Sequence, residues 1–235
     1  MRRVPSSRRG SAGFSLIELM VGLVVGLVVA GSALAFTVVT IRSYGENINS
    51  TRLTGDLTTA MNLVVGELRR AGYDAESVGR LFTDNVPSSF AEVKIDGSCV
   101  SYLYDRGVGA LGGAPDATEY RAIRLNTGTG ALEMQSASAN GCDYTGTWNQ
   151  VTDPRVVNIT AFVPALSEVP FCTVVNEETV SGTTLYDRVE GDIREVSLQL
   201  TGALRTDSSL SRTLENASRV RADRIKYLAG QTTGC

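Results

Sequence analysis

Apolar side chains are concentrated in one uninterrupted run near the amino terminus, from Phe14 to Val39. This run of 26 residues contains a single charged residue, Glu18. As an α-helix it would extend over about 39 Å, because each residue adds about 1.5 Å along the axis. That length exceeds the roughly 30 Å of hydrocarbon in a typical bilayer. The pattern predicts a helix that crosses a membrane once.

Past the apolar run the helical pattern continues, but apolar residues now occupy one face. They recur every three or four positions, which indicates an amphipathic helix with one buried side. These positions are Ile41, Tyr44, Ile48, Leu57, Met61, Val64, Leu68 and Ala71. Gly72 follows, and glycine is strongly favoured just past the end of a helix. We therefore expect one continuous helix over 14–71.

From about residue 90 onward the pattern changes to β-strands. Short segments alternate between apolar and polar residues or are rich in β-branched residues, as half-buried strands are. These segments are 99–104, 120–125, 131–135, 156–163 and 195–200. The glycines in 126–130 predict a hairpin turn between two of them. The fold class expected is α+β, with the long helix packed on an antiparallel β-sheet domain.

The charge distribution gives the expected membrane orientation. Residues 1–13 carry four arginines and no acid, whereas the whole chain has a net charge of −3, so the remainder carries −7. A secretory signal peptide has an apolar core of only about 7–15 residues, which is shorter than the run seen here. Basic residues beside a membrane helix remain on the cytoplasmic side. The carboxyl-terminal part is therefore expected on the other side of the membrane.

Glu18 is unexpected for a plain membrane anchor. A carboxylate inside an apolar helix costs about 2.5–3.5 kcal/mol and usually marks a functional contact. Its position near the start of the run leaves a simpler interpretation open, in which the side chain reaches the membrane surface.

The residues around Glu18 resemble the class III signal of type IV prepilins and pseudopilins. They follow the basic segment in the order Gly13-Phe14-Ser15-Leu16-Ile17-Glu18-Leu19-Met20. The resemblance implies that a prepilin peptidase cuts after Gly13 and methylates the new amino group of Phe14. It also implies that Glu18 pairs with the amino terminus of a neighbouring subunit during assembly. Such pairing is physically reasonable because neither charge is tolerated alone in lipid.

Segments in two further regions narrow the resemblance to minor pilins of the PilW type. The helix is predicted to end in Glu67-Leu68-Arg69-Arg70-Ala71-Gly72-Tyr73, and the chain later contains the strand-like run 194–202, then 212–214 and a closing strand at 220–223. The closing pattern departs from the family at Ser218, which stands where a valine is expected. The resemblance is strong over 10–73, moderate over 190–224 and vague between them.

The resemblance implies a non-enzymatic structural protein with a type IV pilin-like fold. Its parts would be a leader (1–13), a transmembrane and assembly helix (14–39), an amphipathic continuation (40–73) and a β-rich periplasmic domain (74–235). It would begin as a single-pass inner-membrane protein and then enter a pilus at the cell surface, in a tip or priming complex. Expected partners are prepilin peptidase, other minor pilins, the major pilin and the inner-membrane assembly platform. The alternatives are a minor pseudopilin of a type II secretion system and a DNA-binding competence pilin.

The four cysteines all lie beyond the apolar run, at Cys99, Cys142, Cys172 and Cys235. An even number on one side of a membrane anchor suggests two disulfides in an oxidising compartment, although buried free thiols would fit the same sequence. Three connectivities are possible. We favour Cys99–Cys142 within the first sheet and Cys172–Cys235 near the carboxyl terminus.

Several chemistries find little support in the sequence. The chain has no histidine, which removes Ser-His-Asp catalysis and histidine-ligated zinc. The run 107–112 matches G-x-G-x-x-G, but Gly113 and Pro115 follow it where a nucleotide-binding helix would begin, so we interpret it as a loop. We expect no cofactor, no metal and no catalytic residues.

One concentration of basic residues lies near the carboxyl terminus. Its members are Arg205, Arg212, Arg219, Arg221, Arg224 and Lys226. Such a cluster can contact nucleic-acid phosphates, but aromatic residues for stacking on bases are scarce. Pairing with Asp207, Glu215 and Asp223 explains the cluster equally well. Nucleic acid is therefore a possible but disfavoured partner.

Overall fold

One long helix occupies the amino-terminal part of the chain. In the computed structural model, α1 runs from Leu16 to Leu68. The structure describes residues 13–77, 79, 88–107, 114–135, 141–143, 145–220 and 222–235. It divides into two units, one ending at Asn49 and a globular unit from Ser50 to Cys235. Each unit is described by itself below.

The helix ends three residues earlier than the sequence pattern predicted. Beyond Leu68 the chain tightens into a turn, in which Arg70 N–H donates to the Glu67 carbonyl and Ala71 N–H to that of Leu68. Gly72 N–H instead donates to the Leu103 carbonyl at 2.7 Å, which ties the turn to a strand. Gly72 has a φ of 78°. Only glycine adopts that conformation without a steric penalty, so its expected place just past the helix end is explained.

In the described part of the globular unit, nine strands form two antiparallel sheets. The first sheet has the order β1-β2-β3-β4-β5, and the second has the order β6-β7-β8, with β9 also paired to β7. The strands are β1 Val93–Asp96, β2 Cys99–Leu103, β3 Tyr120–Asn126, β4 Ala131–Gln135, β5 Asn149–Gln150, β6 Val157–Val180, β7 Thr183–Leu204, β8 Ser211–Arg219 and β9 Arg224–Gln231. A long helix packed on antiparallel sheet confirms the expected fold class.

The core forms where the second part of α1 packs on both sheets. Leu53, Leu57 and Leu68 are fully buried. They belong to one apolar cluster that also holds residues of both sheets. The sheet residues in this cluster include Val100, Tyr102, Ile123, Leu132, Ile159, Phe162, Val196, Leu198 and Leu200. At Gly202 a Cβ atom would come within 2.8 Å of Leu57 Cδ2, so the close approach of helix and strand requires glycine there.

Three strand expectations need correction. The segments 156–163 and 195–200 are parts of much longer strands, β6 and β7, which pair with each other over almost their entire length. Of the predicted closing strand at 220–223, Arg221 lies outside the described residues. Val220, Ala222 and Asp223 are not part of a strand, and β9 begins only at Arg224. There β9 pairs with residues 186–192 of β7, beyond the end of β8. The expected strand at 212–214 lies within β8.

The cysteines form the two favoured pairs, Cys99–Cys142 and Cys172–Cys235. Cys99 is buried at the start of β2, whereas Cys172 and Cys235 are exposed. The first disulfide therefore connects the core of the first sheet to the turn at 141–143. The second connects the carboxyl terminus to the middle of β6.

Removing the first disulfide is expected to destabilise the globular unit. The bond links residues 43 apart. A closed loop of that size contributes about 4 kcal/mol in the chain-entropy description. We expect Cys99→Ala/Cys142→Ala to lower the free energy of unfolding by about that amount, measured by urea denaturation of the detergent-solubilised chain. Wild-type stability in this double variant would show that the loop is already constrained without the bond.

Candidate functional site

The first candidate site is the start of α1, where the basic segment meets the apolar run. Gly13, Phe14 and Ser15 precede the helix, and the Ser15 carbonyl accepts the first helical hydrogen bond, from Leu19 N–H at 3.1 Å. Phe14 is 82% exposed, and Glu18 is exposed in the first turn. A carboxylate there is favoured by the positive end of the helix dipole. The other leader residues, 1–12, lie outside the described residues.

The helix that follows is apolar on every side from Leu19 to Val39. Large apolar residues from Leu16 to Ile48 are 49–77% exposed. Among the described residues, α1 is the helix long and apolar enough to cross a membrane. The hydroxyl groups of Thr37 and Thr40 are satisfied internally, because each donates to the carbonyl four residues earlier at 2.8 Å. Internal satisfaction of polar groups is what a hydrocarbon environment requires.

The segment Glu67–Tyr73 forms part of a groove at the end of α1. Glu67 accepts a hydrogen bond from the hydroxyl of Tyr102 at 3.2 Å and pairs with Arg70 at 3.3 Å. Burial, and secondarily the charge of Glu67, raises the pKa of Tyr102 well above its usual range. The groove has a volume of about 480 Å³. It is lined by Arg69, Arg70, Tyr73, Asp74, Ser77, Tyr104 and Ala222.

Arg194 lies beside this turn and is the largest fully buried side chain among the described residues, with 1% exposure. Its guanidinium donates to the carbonyl of Ala91 and to that of Ala222, the latter at 2.6 Å. It also approaches Gly72, where a Cβ atom would lie 3.3 Å from Nη2. Arg194 therefore links strand β7, the end of α1 and two connecting segments. No sequence pattern indicated this burial, because an arginine in an alternating strand is ordinarily exposed.

Two arginines of the carboxyl-terminal basic cluster pair with acids, and a third donates to a serine hydroxyl. Arg219 pairs with Asp223 at 3.0 Å, as expected. Arg224 pairs with Asp192 at 2.9 Å, and the hydrogen bond to Asp192 raises the pKa of Arg224. Arg212 donates to Ser50 Oγ at 3.3 Å.

The other two expected acids, Asp207 and Glu215, make different contacts among the described residues. Asp207 accepts hydrogen bonds from Ser209, and Glu215 accepts one from Gln199 at 2.8 Å. Both acids therefore accept hydrogen bonds from exposed neighbouring residues. Arg221 lies outside the described residues. The basic residues are thus distributed over a loop and two strands with acids between them, which weakens the attraction of this surface for phosphates.

The described part of the chain offers no group of three or more cysteines and acids arranged to hold a metal ion. Of the G-x-G-x-x-G run, Gly107 has a φ of 67°, and 108–112 lie outside the described residues. The assembled features are therefore an apolar helix long enough to cross a membrane, with an acid near its start, and a β-rich unit with exposed strands. They are suited to association.

Two family models match the chain. Residues 46–220 match the family described as prepilin peptidase-dependent protein B, and residues 8–34 match the prokaryotic N-terminal methylation motif. Among solved structures, a type IV-like pilin from Thermus thermophilus is similar at 15% sequence identity and a TM-score of 0.39. That alignment covers 73% of this chain and 98% of the other. No curated protein sequence matches.

Proposed function

Because this chain belongs to the family of prepilin peptidase-dependent protein B, we propose that it is a minor pilin of the PilW type. It is a type IV pilin-like protein that depends on prepilin peptidase. Its proposed role is structural and non-enzymatic: it enters the tip or priming complex of a type IV pilus and promotes assembly of the filament.

The observation that carries this proposal is the arrangement at the start of α1. The methylation motif covers 8–34, and within it Gly13 and Phe14 stand directly before a helix that is apolar on all sides. We infer that prepilin peptidase cleaves between them and that the amino group of Phe14 is methylated. The new terminus would then lie four residues, or about 6 Å along the helix axis, from Glu18 of its own chain. A neighbouring subunit displaced along the axis by that distance would place its Glu18 beside this terminus.

Location and partners follow from the same proposal. Residues 1–13 face the cytoplasm, 14–39 cross the inner membrane, 40–73 continue the helix, and 74–235 form the periplasmic part. The arginines before Gly13 favour this orientation. The disulfides Cys99–Cys142 and Cys172–Cys235 suit an oxidising compartment. Other minor pilins, the major pilin and the assembly platform are the proposed partners, with the filament surface as the final location.

The proposed processing has a direct test. We expect the intact mass of the protein extracted from membranes to correspond to a chain that begins at Phe14 and carries one additional methyl group. In cells that lack prepilin peptidase, the mass should correspond to the chain from Met1. A protein that still begins at Met1 in peptidase-containing cells would overturn the proposal.

A further inference from the structure

The distal part of the β6–β7 hairpin lies outside the core. Burial ends at Pro164 on β6 and begins again at Arg194 on β7. We call residues 168–192, together with β9, the arm. Four of its large apolar residues are exposed, namely Val169, Val174, Val175 and Val180. The carboxyl terminus is fixed to the arm by the Cys172–Cys235 disulfide and by Arg188, which donates to the carbonyls of Thr233 and Gly234.

The direction of the main-chain groups on β6 follows from contacts of β7. Val220 N–H donates to the carbonyl of Arg194, and Arg205 N–H donates to that of Val156. The main-chain N–H and C=O groups of even-numbered β7 residues therefore point toward β8 and β9. Those of odd-numbered β7 residues point toward β6. Their partners on β6 follow from the register, which runs unshifted from Ala161↔Thr201 to Val174↔Arg188. Even-numbered residues of β6 over 164–174 thus direct their main-chain groups away from β7.

This outer edge of β6 has a blocked part and an open part. Pro164 and Pro170 both fall at outward positions, where their missing N–H groups interrupt any added ladder. Prolines at an edge prevent unwanted strand pairing. From 171 to 180 there is no proline. After the register shift between Val174 and Asn176, the outward residues of this open edge are Cys172, Val174, Glu177 and Thr179.

Nothing in the described part of the chain pairs with the open edge. The strand pairings of β6 join it only to β7. The edge therefore presents four N–H groups and four carbonyls in strand geometry. An extended peptide that adds to such an edge gains a ladder of main-chain hydrogen bonds.

The charge of the hairpin limits what can bind there. Residues 164–193 contain six acids and one base. The single base, Arg188, pairs with Glu190 at 2.8 Å, and Asp192 pairs with Arg224 of β9. The ion pairs of the described residues include neither Glu177 nor Glu178 on the open edge. Like charges placed opposite each other across strands are destabilising, so a second copy of this acidic edge is a poor partner.

We propose that the open edge of β6, residues 171–180, takes up one extended basic strand of another protein and thereby enlarges the second sheet. This inference deepens the proposed function, because the strand would belong to another subunit of the same assembly. The main-chain ladder provides the attachment. Glu177 and Glu178 select for lysine or arginine on the added strand.

Hydrogen exchange of the full-length protein in detergent tests the inference at residue resolution. The probe is a ten-residue peptide of alternating lysine and valine, and the matched control peptide alternates aspartate and valine. We expect the basic peptide to slow exchange of the amides of Cys172, Val174, Glu177 and Thr179 by about tenfold or more, as new ladder bonds do. The acidic peptide should leave their exchange unchanged.

A pair of variants at one position provides the control. Val174→Pro removes an outward N–H and should abolish the protection, while Val174→Thr keeps that N–H and should preserve it. Proline is tolerated at such positions, as Pro164 and Pro170 already show. Absence of protection by the basic peptide, or equal protection by the acidic one, would overturn the inference. Protection that rises with protein concentration without peptide would overturn it too, in favour of a second copy.

This experiment is independent of the test of processing. If the mature chain begins at Phe14 and the basic peptide gives no protection, the open edge alone is wrongly assigned. If the chain still begins at Met1 and the peptide protects, the binding edge stands and the proposed pilus function fails.

Discussion

We expect Arg194→Ala to lower the free energy of unfolding of the globular unit by about 3–5 kcal/mol. The substitution leaves the carbonyls of Ala91 and Ala222 without their donor and opens a cavity where the side chain was fully buried. An unsatisfied buried acceptor costs about 1–3 kcal/mol, and cavities add to this. For a unit of this size the midpoint of thermal unfolding should fall by about 10 °C.

Two other variants test whether the loss of stability comes from the buried guanidinium of Arg194. Arg194→Lys keeps a positive charge but lacks the forked geometry that reaches two carbonyls, so its loss of stability should be intermediate. Arg212→Ala removes an exposed arginine of the same sheet and should change stability by no more than about 0.5 kcal/mol. Thermal unfolding followed by the circular dichroism of the strands is the measurement. A loss below about 1 kcal/mol for Arg194→Ala would show that water replaces the guanidinium at these carbonyls.

The sequence predicted the elements whose signal is local. The apolar run from Phe14 identifies α1 because no soluble helix exposes such a surface. The hairpin of β3 and β4 follows from alternation on both sides of the glycine-containing turn 126–130. The disulfide pairing was one of three and is the one that the structure contains.

The elements that were missed depend on pairing between distant segments. The sequence of residues 164–180 does not predict a strand, because Pro164 and Pro170 normally argue against one. Both are accommodated because they lie at outward positions on an edge, which only the register with β7 reveals. Likewise, α1 ends at Leu68 and not at the predicted residue 71. The N–H group of Gly72 donates to the carbonyl of Leu103, and this contact joins residues 31 apart in the sequence.

The start of α1 and the open edge of β6 also differ in whether the sequence alone can reveal them. Gly13, Phe14 and Glu18 form a linear motif, so their proposed roles could be stated from the order of residues alone. The open edge of β6 has no motif, since its main-chain groups belong to every residue type. It becomes visible only when the strand that occupies its other side is known.

We expect Glu18→Gln to reduce the amount of this protein in sheared pili by about tenfold or more. In the proposed assembly step, Glu18 neutralises the methylated amino group of Phe14 on a neighbouring subunit within the membrane. Glutamine keeps the size of the side chain but leaves that cation unpaired at a low dielectric constant, where the cost is about 2.5–3.5 kcal/mol. The measurement is quantitative immunoblotting of sheared filaments, normalised to the amount of the protein in membranes.

Glu46→Gln is the matched control, because Glu46 is also an exposed acid on α1 but follows the membrane run. It should leave incorporation at the wild-type level, whereas Glu18→Lys should be worse than Glu18→Gln because it places two cations together. The Glu18 variants should retain cleavage after Gly13 and the thermal stability of the globular unit, since Glu18 precedes that unit by 32 residues. Wild-type incorporation of Glu18→Gln would refute the pairing role for this subunit. That result has its own physical meaning, because a subunit at the extreme tip of a filament has no earlier neighbour whose amino terminus it must neutralise.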